Sequence, residues 1–433
     1  MPTSTVVLPD GRLLITEKGG KLRVVKNNQL LATPALQLGV KTDGERGLLA
    51  VEADLKFDTN HYVYVHFTSN KTNYAQVSRF TMNGDTVVAG SELVILKIDP
   101  QLNGANHIGG AMHFGSDGKL YIGVGDNAVG ADAQNTSSMH GKILRINGNG
   151  AIPTDNPFYN TNAGAKRAIW AIGLRNPFTF NVDPVSPNLM FINDVGENSY
   201  EEINVGEKAA NYGWPQTEGP TDAPGITAPF YAYAPPGDGT RTSIAGGVSY
   251  VPTFKGFPAD YHQDYFFGDY VQGSISTLDL GGQVLPFAQG FNGIIDIDQT
   301  KDGQLLVTTY DGVVHAIKYG SGTTPTGTAS INGYVVNDTN KDGKWTSGEK
   351  GITGRTVWLD LNNDGNQGVT EPTLVTGDNG KFTFTNLAAG TYRVREVVPA
   401  GWKQTSPINN GPLFIQLTDG QLRSGVSFQV TTV

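Results

Sequence analysis

The chain has 433 residues, of which 56 are glycine and none cysteine, with 16% charged residues and a formal net charge of −9. An acidic balance with no basic run argues against nucleic acid and anionic membrane surfaces as partners, and the lack of cysteine excludes disulfides and thiolate metal sites. No stretch approaches the roughly eighteen apolar residues of a membrane span, and this length calls for more than one domain.

Strand formers fill the apolar runs while Gly, Asn, Asp and Pro carry the turns, which predicts an all-β chain. Residues 1–7 lack the basic start and long apolar core of a signal peptide, yet strand-like sequence begins almost at once, so the start reads as trimmed. A degenerate repeat follows. Leu8-Pro9-Asp10-Gly11-Arg12-Leu13-Leu14 leads to Gly20-Lys21-Leu22-Arg23-Val24; Ser116-Asp117-Gly118-Lys119-Leu120 leads to Gly141-Lys142-Ile143-Leu144; Lys301-Asp302-Gly303-Gln304-Leu305 leads to Gly312-Val313-Val314. Each reads turn, strand, turn, strand. Weaker copies start near Asn60, Asn188 and Asp264. Units at roughly 50–70-residue spacing predict a six-bladed β-propeller over residues 1–318, its blades around a central channel. A propeller closes by pairing its two chain ends within one blade. This N-terminus is too short for a full outer strand, which predicts an unpaired edge in the closing blade.

Five segments of this region carry chemistry: Asp43-Gly44-Glu45-Arg46-Gly47-Leu48-Leu49, Asn106-His107-Ile108-Gly109-Gly110, Gly125-Asp126-Asn127, Gly173-Leu174-Arg175-Asn176-Pro177, and Gly196-Glu197-Asn198-Ser199-Tyr200-Glu201-Glu202. Imidazole titrates near neutrality and can take a proton from a hydroxyl, and paired glycines admit a close backbone or a flat ligand. Read alone, His107 is more readily a structural histidine at a strand end, and the plain alternative for Arg175 is an ion pair fixing the loop before Pro177. Asp126 reads as an orienting carboxylate for the histidine or as a turn cap. His113 alternates with apolar neighbours and reads as a strand residue. His61, His66 and His315 read as packing positions in strands, and His140 as a turn residue. Trp214 is the aromatic residue placed to stack on a sugar at a channel mouth.

Residues 319–328, rich in Gly, Thr, Ser and Pro, read as a linker. Residues 329–433 show short alternating strands such as Lys381-Phe382-Thr383-Phe384 and predict a small prealbumin-like β-sandwich. Its basic and acidic residues balance, so the negative charge lies in residues 1–318. Two loops have calcium-loop spacing. Asp338, Asn340, Asp342 and Glu349 stand at positions 1, 3, 5 and 12 of one; Asp360, Asn362, Asp364 and Glu371 stand at those of the other. Lys344 and Asn366 hold the seventh position, where such loops use a backbone carbonyl, and glycine stands at the sixth in both. Solvated Asn/Asp turns are the plain alternative.

In order and content, the five propeller segments resemble the soluble pyrroloquinoline-quinone (PQQ)-dependent glucose/sorbosone and aldose sugar dehydrogenases, over most of residues 5–318. The second domain resembles the B-type repeat domains of bacterial surface adhesins. The first resemblance implies PQQ and Ca2+ as cofactors, a sugar substrate oxidised at its anomeric carbon to the lactone, and an external electron acceptor. It implies His107 as catalytic base with Asp126 beside it. Arg175 and Asn176 would contact the quinone together with Glu45 and His107, and the backbone carbonyls of Gly196 and Glu197 would hold the calcium. The second implies a calcium-clamped module for attachment or spacing, hence a secreted, periplasmic or cell-surface location.

The chain departs from that family at three places. Glu45-Arg46 stands where glucose dehydrogenases have a glutamine, the expected lysine is missing from Gly268–Gly273, and the expected arginines are missing from Phe291–Asp296. Each lost cation removes a charge-assisted bond worth on the order of 1.5–3 kcal/mol to a carboxylate ligand. The alternative is therefore a non-catalytic propeller that binds a glycan or protein at the cell surface. A lactonase-type metal hydrolase lacks the inward cluster of acidic and Asn ligands it would need.

Overall fold

The computed structural model describes residues 1–433 apart from 73, 102–103, 187–188, 253–256, 258–260, 319–326, 347, 362–364 and 368–370. Most of the expected linker, the start of the repeat copy at Asn188, and the proposed ligands Asn362 and Asp364 fall outside the described residues.

The turn signals become one hydrogen-bond pattern used three times. The N–H groups of Gly11, Gly118 and Gly303 each donate to the carbonyl three residues back, at 2.9 Å. Each turn closes with a bond to the residue after the glycine: Leu8 to Arg12 at 2.8 Å, Gly115 to Lys119 at 2.8 Å, Thr300 to Gln304 at 2.9 Å. Asp10 and Asp117 accept the N–H two residues on, at 3.1 and 3.0 Å, as aspartate does in turns.

Among the described residues of this region, six antiparallel sheets follow in chain order, each from contiguous sequence. Their first strands are Pro2–Val7, Leu48–Ala53, Met112–Phe114, Pro177–Val182, Ile244–Ser249 and Ile294–Gln299. Each first strand packs against the first strand of the next sheet, and the sixth returns to the first, so the ring is closed and the fold is a β-propeller. Strand periodicity fills the spaces between sheets. Leu144 and Ile146, with Ile122 of their own sheet, pack towards Tyr64 and Val77 of the second sheet, while Ile143 packs towards the fourth with Phe180 and Ile192. Phe191, next to Ile192, turns the other way onto Tyr265 and Phe267 of the fifth. Successive residues thus serve opposite cores, as the two-residue period requires.

Closure leaves the edge expected of so short an N-terminal segment, which adds no strand to the sixth sheet among the described residues. The chain ends do not share a sheet: Pro2–Val7 pairs with Leu13–Glu17 in its own sheet. The sixth sheet, Ile294–Gln299, Leu305–Thr309 and Val314–Ile317, has three strands among the described residues. The first and sixth sheets are joined through side chains. The Thr5 N–H donates to Asp296 Oδ2 at 2.8 Å, and Lys301 Nζ to the Pro9 carbonyl at 2.9 Å.

The chain divides into two compact units, residues 318–433 forming most of the second, with which the short segment 256–262 is grouped. Two four-stranded sheets form the sandwich: Lys381–Leu387, Ala329–Asn337, Leu422–Thr432 and Trp402–Ser406 in one; Thr373–Val375, Thr356–Leu359, Gly390–Glu396 and Leu413–Leu417 in the other. Ile331, Val357, Phe382, Val394 and Phe428 lie in the core between them. No helix among the described residues is long and apolar enough to cross a membrane.

Asp298 shares the inner strand of the sixth sheet with Asp296. Burial, and then the Asp296 carboxylate, push its carboxyl up to about 7, with Glu52 adding to the rise and His113 opposing it. A carboxyl whose folded value is raised stabilises the fold fully below its unfolded value, about 3.9, and that contribution is lost as pH rises through the folded value. Asp298→Asn stays neutral throughout. It should raise the stability of the propeller at pH 8 by about 1–3 kcal/mol, with the gain vanishing towards pH 4, as urea melts at the two pH values will show.

Candidate active site

Antiparallel pairing brings the start of one strand beside the end of the next. The segment 106–110 enters Met112–Phe114, Gly125-Asp126 leaves Lys119–Val124, and Arg175-Asn176 enters Pro177–Val182, whose partner Met190–Asp194 ends at 194. The third and fourth sheets therefore present these segments at the same end.

His107 Nδ1 lies 2.7 Å from Asp126 Oδ1. A carboxylate accepts, so Nδ1 is the donor of this bond and Nε2 is the ring nitrogen left outside it. Asp126 is itself held: Oδ2 accepts the Trp214 indole N–H at 2.8 Å, Oδ1 accepts the Ala128 N–H at 2.8 Å, and its own N–H donates to the Arg175 carbonyl at 2.8 Å. Of the two roles open to Asp126, the structure gives it both: it caps a turn and orients the histidine. His107, Asn127 and Ala128 have φ of 54°, 52° and 59°, a left-handed backbone costing roughly 1–3 kcal/mol per residue outside glycine. The two strained segments cross at Gly125, where a Cβ would stand 2.2 Å from the His107 carbonyl oxygen and 2.8 Å from Asn176 Oδ1.

Asn176 ties three segments together. Its Oδ1 accepts the Gly109 N–H at 2.9 Å and its Nδ2 donates to Glu45 Oε2 at 3.2 Å, which also accepts the Ile108 N–H at 3.1 Å. Glu45 thus holds the histidine loop with its carboxylate. The N–H groups of Arg175 and Asn176 donate to the two oxygens of Asp194 at 2.9 and 2.6 Å. Burial, and then nearby Glu202, raise the Asp194 carboxyl well above the usual range. The Arg175 guanidinium donates from Nη1 to the Val195 carbonyl at 3.0 Å and sits 5.5 Å from the Trp214 ring centroid, while its buried Nε has no partner. Trp214 is therefore engaged by Asp126 at its indole N–H and by Arg175 at its ring. Beneath the histidine loop, buried His66 donates from Nδ1 to the Gly110 carbonyl at 3.0 Å, and burial pushes its pKa down to about 4, so it is neutral. His61 caps a short helix, Phe57–Asn60, in left-handed conformation, and does not lie in a strand.

A cavity of about 330 Å³ runs among the inner strands. Ser4, Leu49, His113, Thr179, Ala245 and Asp296 bring one wall residue from each of the six. Gly109, Glu45, Asn176 and Val195 also line it, whereas His107, Asp126 and Arg175 adjoin it through these neighbours. His113 is a strand residue, as expected, but it also faces the cavity, with Nδ1 2.9 Å from Glu52 Oε2. Where the lysine was expected, Tyr270 lines the cavity and meets Tyr310 edge-on at 6.0 Å; where the arginines were expected stands Asp296. Among the described residues, Lys18 is the one lysine or arginine in the lining, and nothing in its sequence context marks it.

The 196–200 loop follows Val195. Its acidic neighbours accept backbone N–H groups: Glu201 Oε2 from Gly196 at 3.2 Å, Glu202 Oε1 from Gly219, and Glu218 Oε1 from Glu197 at 2.6 Å.

In the sandwich, each expected calcium loop leaves the end of a strand. Asp338 Oδ2 accepts the Gly343 N–H at 2.9 Å, Asp342 Oδ1 the Lys344 N–H at 2.8 Å, and Glu349 Oε1 the Thr339 N–H at 3.0 Å. Asn340 Oδ1 accepts the Asp342 N–H at 3.0 Å. In the second loop Glu371 Oε1 accepts the Leu361 N–H at 2.9 Å, and Asp360 Oδ2 accepts Arg395 Nε at 2.6 Å, while buried Asp360 Oδ1 has no partner. Among the described residues no three acidic or histidine side chains close on one point as a finished metal cage.

Residues 1–318 match the Glucose / Sorbosone dehydrogenase family. The chain belongs to that family. Aldose sugar dehydrogenase YliI of Escherichia coli K12 is 32% identical over 220 residues, covering 49% of this chain and 58% of that one. Quinoprotein glucose dehydrogenase B of Acinetobacter calcoaceticus is 30% identical over 257 residues, 52% of this chain and 51% of that one. The chain thus spans about half the length of the curated relatives it matches. The crystal structure of the soluble aldose sugar dehydrogenase of Escherichia coli in its apo form aligns with a TM-score of 0.64 at 25% identity, over 73% of this chain and 95% of that one. Residues 329–412 match the SdrD B-like domain. Serine-aspartate repeat-containing protein D of Staphylococcus aureus is 40% identical over 111 residues, 25% of this chain and 8% of that one.

Asn176→Ala removes the acceptor of the Gly109 N–H and one donor to Glu45. A buried donor left unpaired costs about 1–3 kcal/mol, a loss that urea denaturation will register. Asn176→Asp keeps that acceptor but sets a second carboxylate against Glu45, and should cost at least as much.

Proposed function

We propose that the propeller is a PQQ- and calcium-dependent aldose sugar dehydrogenase, oxidising the anomeric carbon of a sugar to the lactone with an external electron acceptor. The observation that carries this reading is the His107–Asp126 pair, which holds the imidazole by Nδ1 and leaves Nε2 outside that bond. His107 Nε2 takes the proton of the anomeric hydroxyl, and Asp126 steadies the imidazolium that forms. Asp126 is held in one orientation because Trp214 and Ala128 donate to it alongside His107.

The residues present fit a quinone on this side of the cavity. Arg175 has a buried Nε without a partner, available to an anionic or quinone oxygen. Asn176 and Glu45 hold the adjoining loop, and the Gly196 and Glu197 carbonyls suit a hard cation. When bound, PQQ supplies the two-electron acceptor for the hydride and calcium the Lewis acid.

The opposite wall supports the second reading, a non-catalytic propeller that binds a glycan or protein. Tyr270, Tyr310 and Asp296 face the cavity there in place of cations, and a tricarboxylate meets no positive charge among them. Titrating the calcium-loaded chain with PQQ, followed by a sugar panel with an artificial acceptor, separates the two. Saturable one-to-one binding with sugar-dependent bleaching supports the dehydrogenase; a folded chain that binds no quinone at high micromolar concentration leaves the binding reading. In the first case His107→Ala should lower sugar-dependent dye reduction by about 10²–10⁴-fold while quinone affinity stays within a few-fold.

For the second unit we propose calcium at Asp338, Asn340, Asp342, Lys344 and Glu349, and at Asp360, Asn362, Asp364, Asn366 and Glu371, as a clamp on a cell-surface attachment or spacer module. The orphaned Asp360 Oδ1 supports this, as does the pairing of spaced oxygen ligands with strand ends. Adding EDTA should lower the melting temperature of this unit by several degrees and calcium should restore it, as two-transition calorimetry will show; magnesium should not substitute.

A further inference from the structure

Glu218 was not singled out by any motif, yet one of its oxygens collects a whole turn of backbone. Oε1 accepts the N–H groups of Glu197 at 2.6 Å, Asn198 at 3.1 Å, Ser199 at 3.1 Å and Tyr200 at 3.4 Å. Successive N–H groups turned inward make a cradle for an anion, and here the chain supplies that anion itself. Two glycines let it in. A Cβ on Gly196 would stand 1.8 Å from the Tyr200 carbonyl oxygen and 2.8 Å from Glu218 Oε1, and one on Gly219 would stand 2.2 Å from the Tyr200 ring.

The consequence lies on the other side of the turn. In a trans peptide the carbonyl of one residue points opposite to the N–H of the next. With the N–H groups of 197 and 198 fixed on Glu218, the carbonyls of Gly196 and Glu197 are turned away from it. Neither carbonyl accepts a hydrogen bond among the described residues. We infer that Glu218 is a positioning residue for a cation site: it clamps the 197–200 turn so that the Gly196 and Glu197 carbonyls are presented together, unpaired, to a hard divalent cation. The inference rests on the proposed role of those two carbonyls in holding calcium, and adds the group that sets them.

The test uses the full chain with calcium alone. Calorimetric titration would be run on the unaltered protein, Glu218→Gln and Glu218→Ala, and anomalous density would be recorded from crystals of each soaked in calcium. Glu218→Gln keeps an oxygen acceptor without the charge and should weaken one class of site about tenfold. Glu218→Ala should lose one calcium equivalent and the density at the 196–197 carbonyls, while circular dichroism and the sandwich sites stay unchanged. If Glu218→Ala does not fold, the Gln variant decides. Density at these carbonyls with unchanged affinity in the variants would overturn the role of Glu218 and leave the cation site standing. No density there in the unaltered protein would overturn the cation site, and this inference with it.

Discussion

Because each inner strand packs on the next and the sixth returns to the first, the segments entering and leaving those strands are forced together at the ends of the sheets. That closure, sealed at the join by the bond from Thr5 to Asp296, is the constraint on which the rest depends. It brings residues 45, 107–109, 126, 175–176 and 194–196, spread over some 150 positions of sequence, into one hydrogen-bonded neighbourhood.

Within that neighbourhood, carboxylates do most of the positioning. Asp126 orients the histidine, Asp194 holds the N–H groups of Arg175 and Asn176, Glu45 holds the histidine loop, and Glu218 gathers the 197–200 turn. Each meets N–H donors from backbone, indole, imidazole or side-chain amide, a pairing that fixes geometry without needing a lysine or arginine nearby. The acidity of residues 1–318 is partly this internal scaffolding. The cost is a cavity whose walls carry Glu45 and Asp296 beside a single lysine, and this balance separates the two functional readings. It also makes Glu45, a departure when read in sequence, intelligible: a carboxylate that accepts both the Ile108 N–H and the Asn176 amide needs no compensating charge there.

The sequence by itself determined the strand content, the repeat and the histidine loop, because turns such as Leu8-Pro9-Asp10-Gly11 and Ser116-Asp117-Gly118 are closed by bonds within five residues and need no distant partner. The family likewise followed from local motifs kept in order. Only the tertiary structure decided what Trp214, Asp194, Lys18 and Glu218 do. Their partners lie far along the chain, as Asp126 does from Trp214 by 88 positions, and no local spacing encodes such a bond. Nor could spacing show that the ring closes by side chains rather than by a shared sheet, or that His113 faces the cavity as well as occupying a strand. These outcomes depend on how neighbouring sheets meet, which is set by the packing of all six.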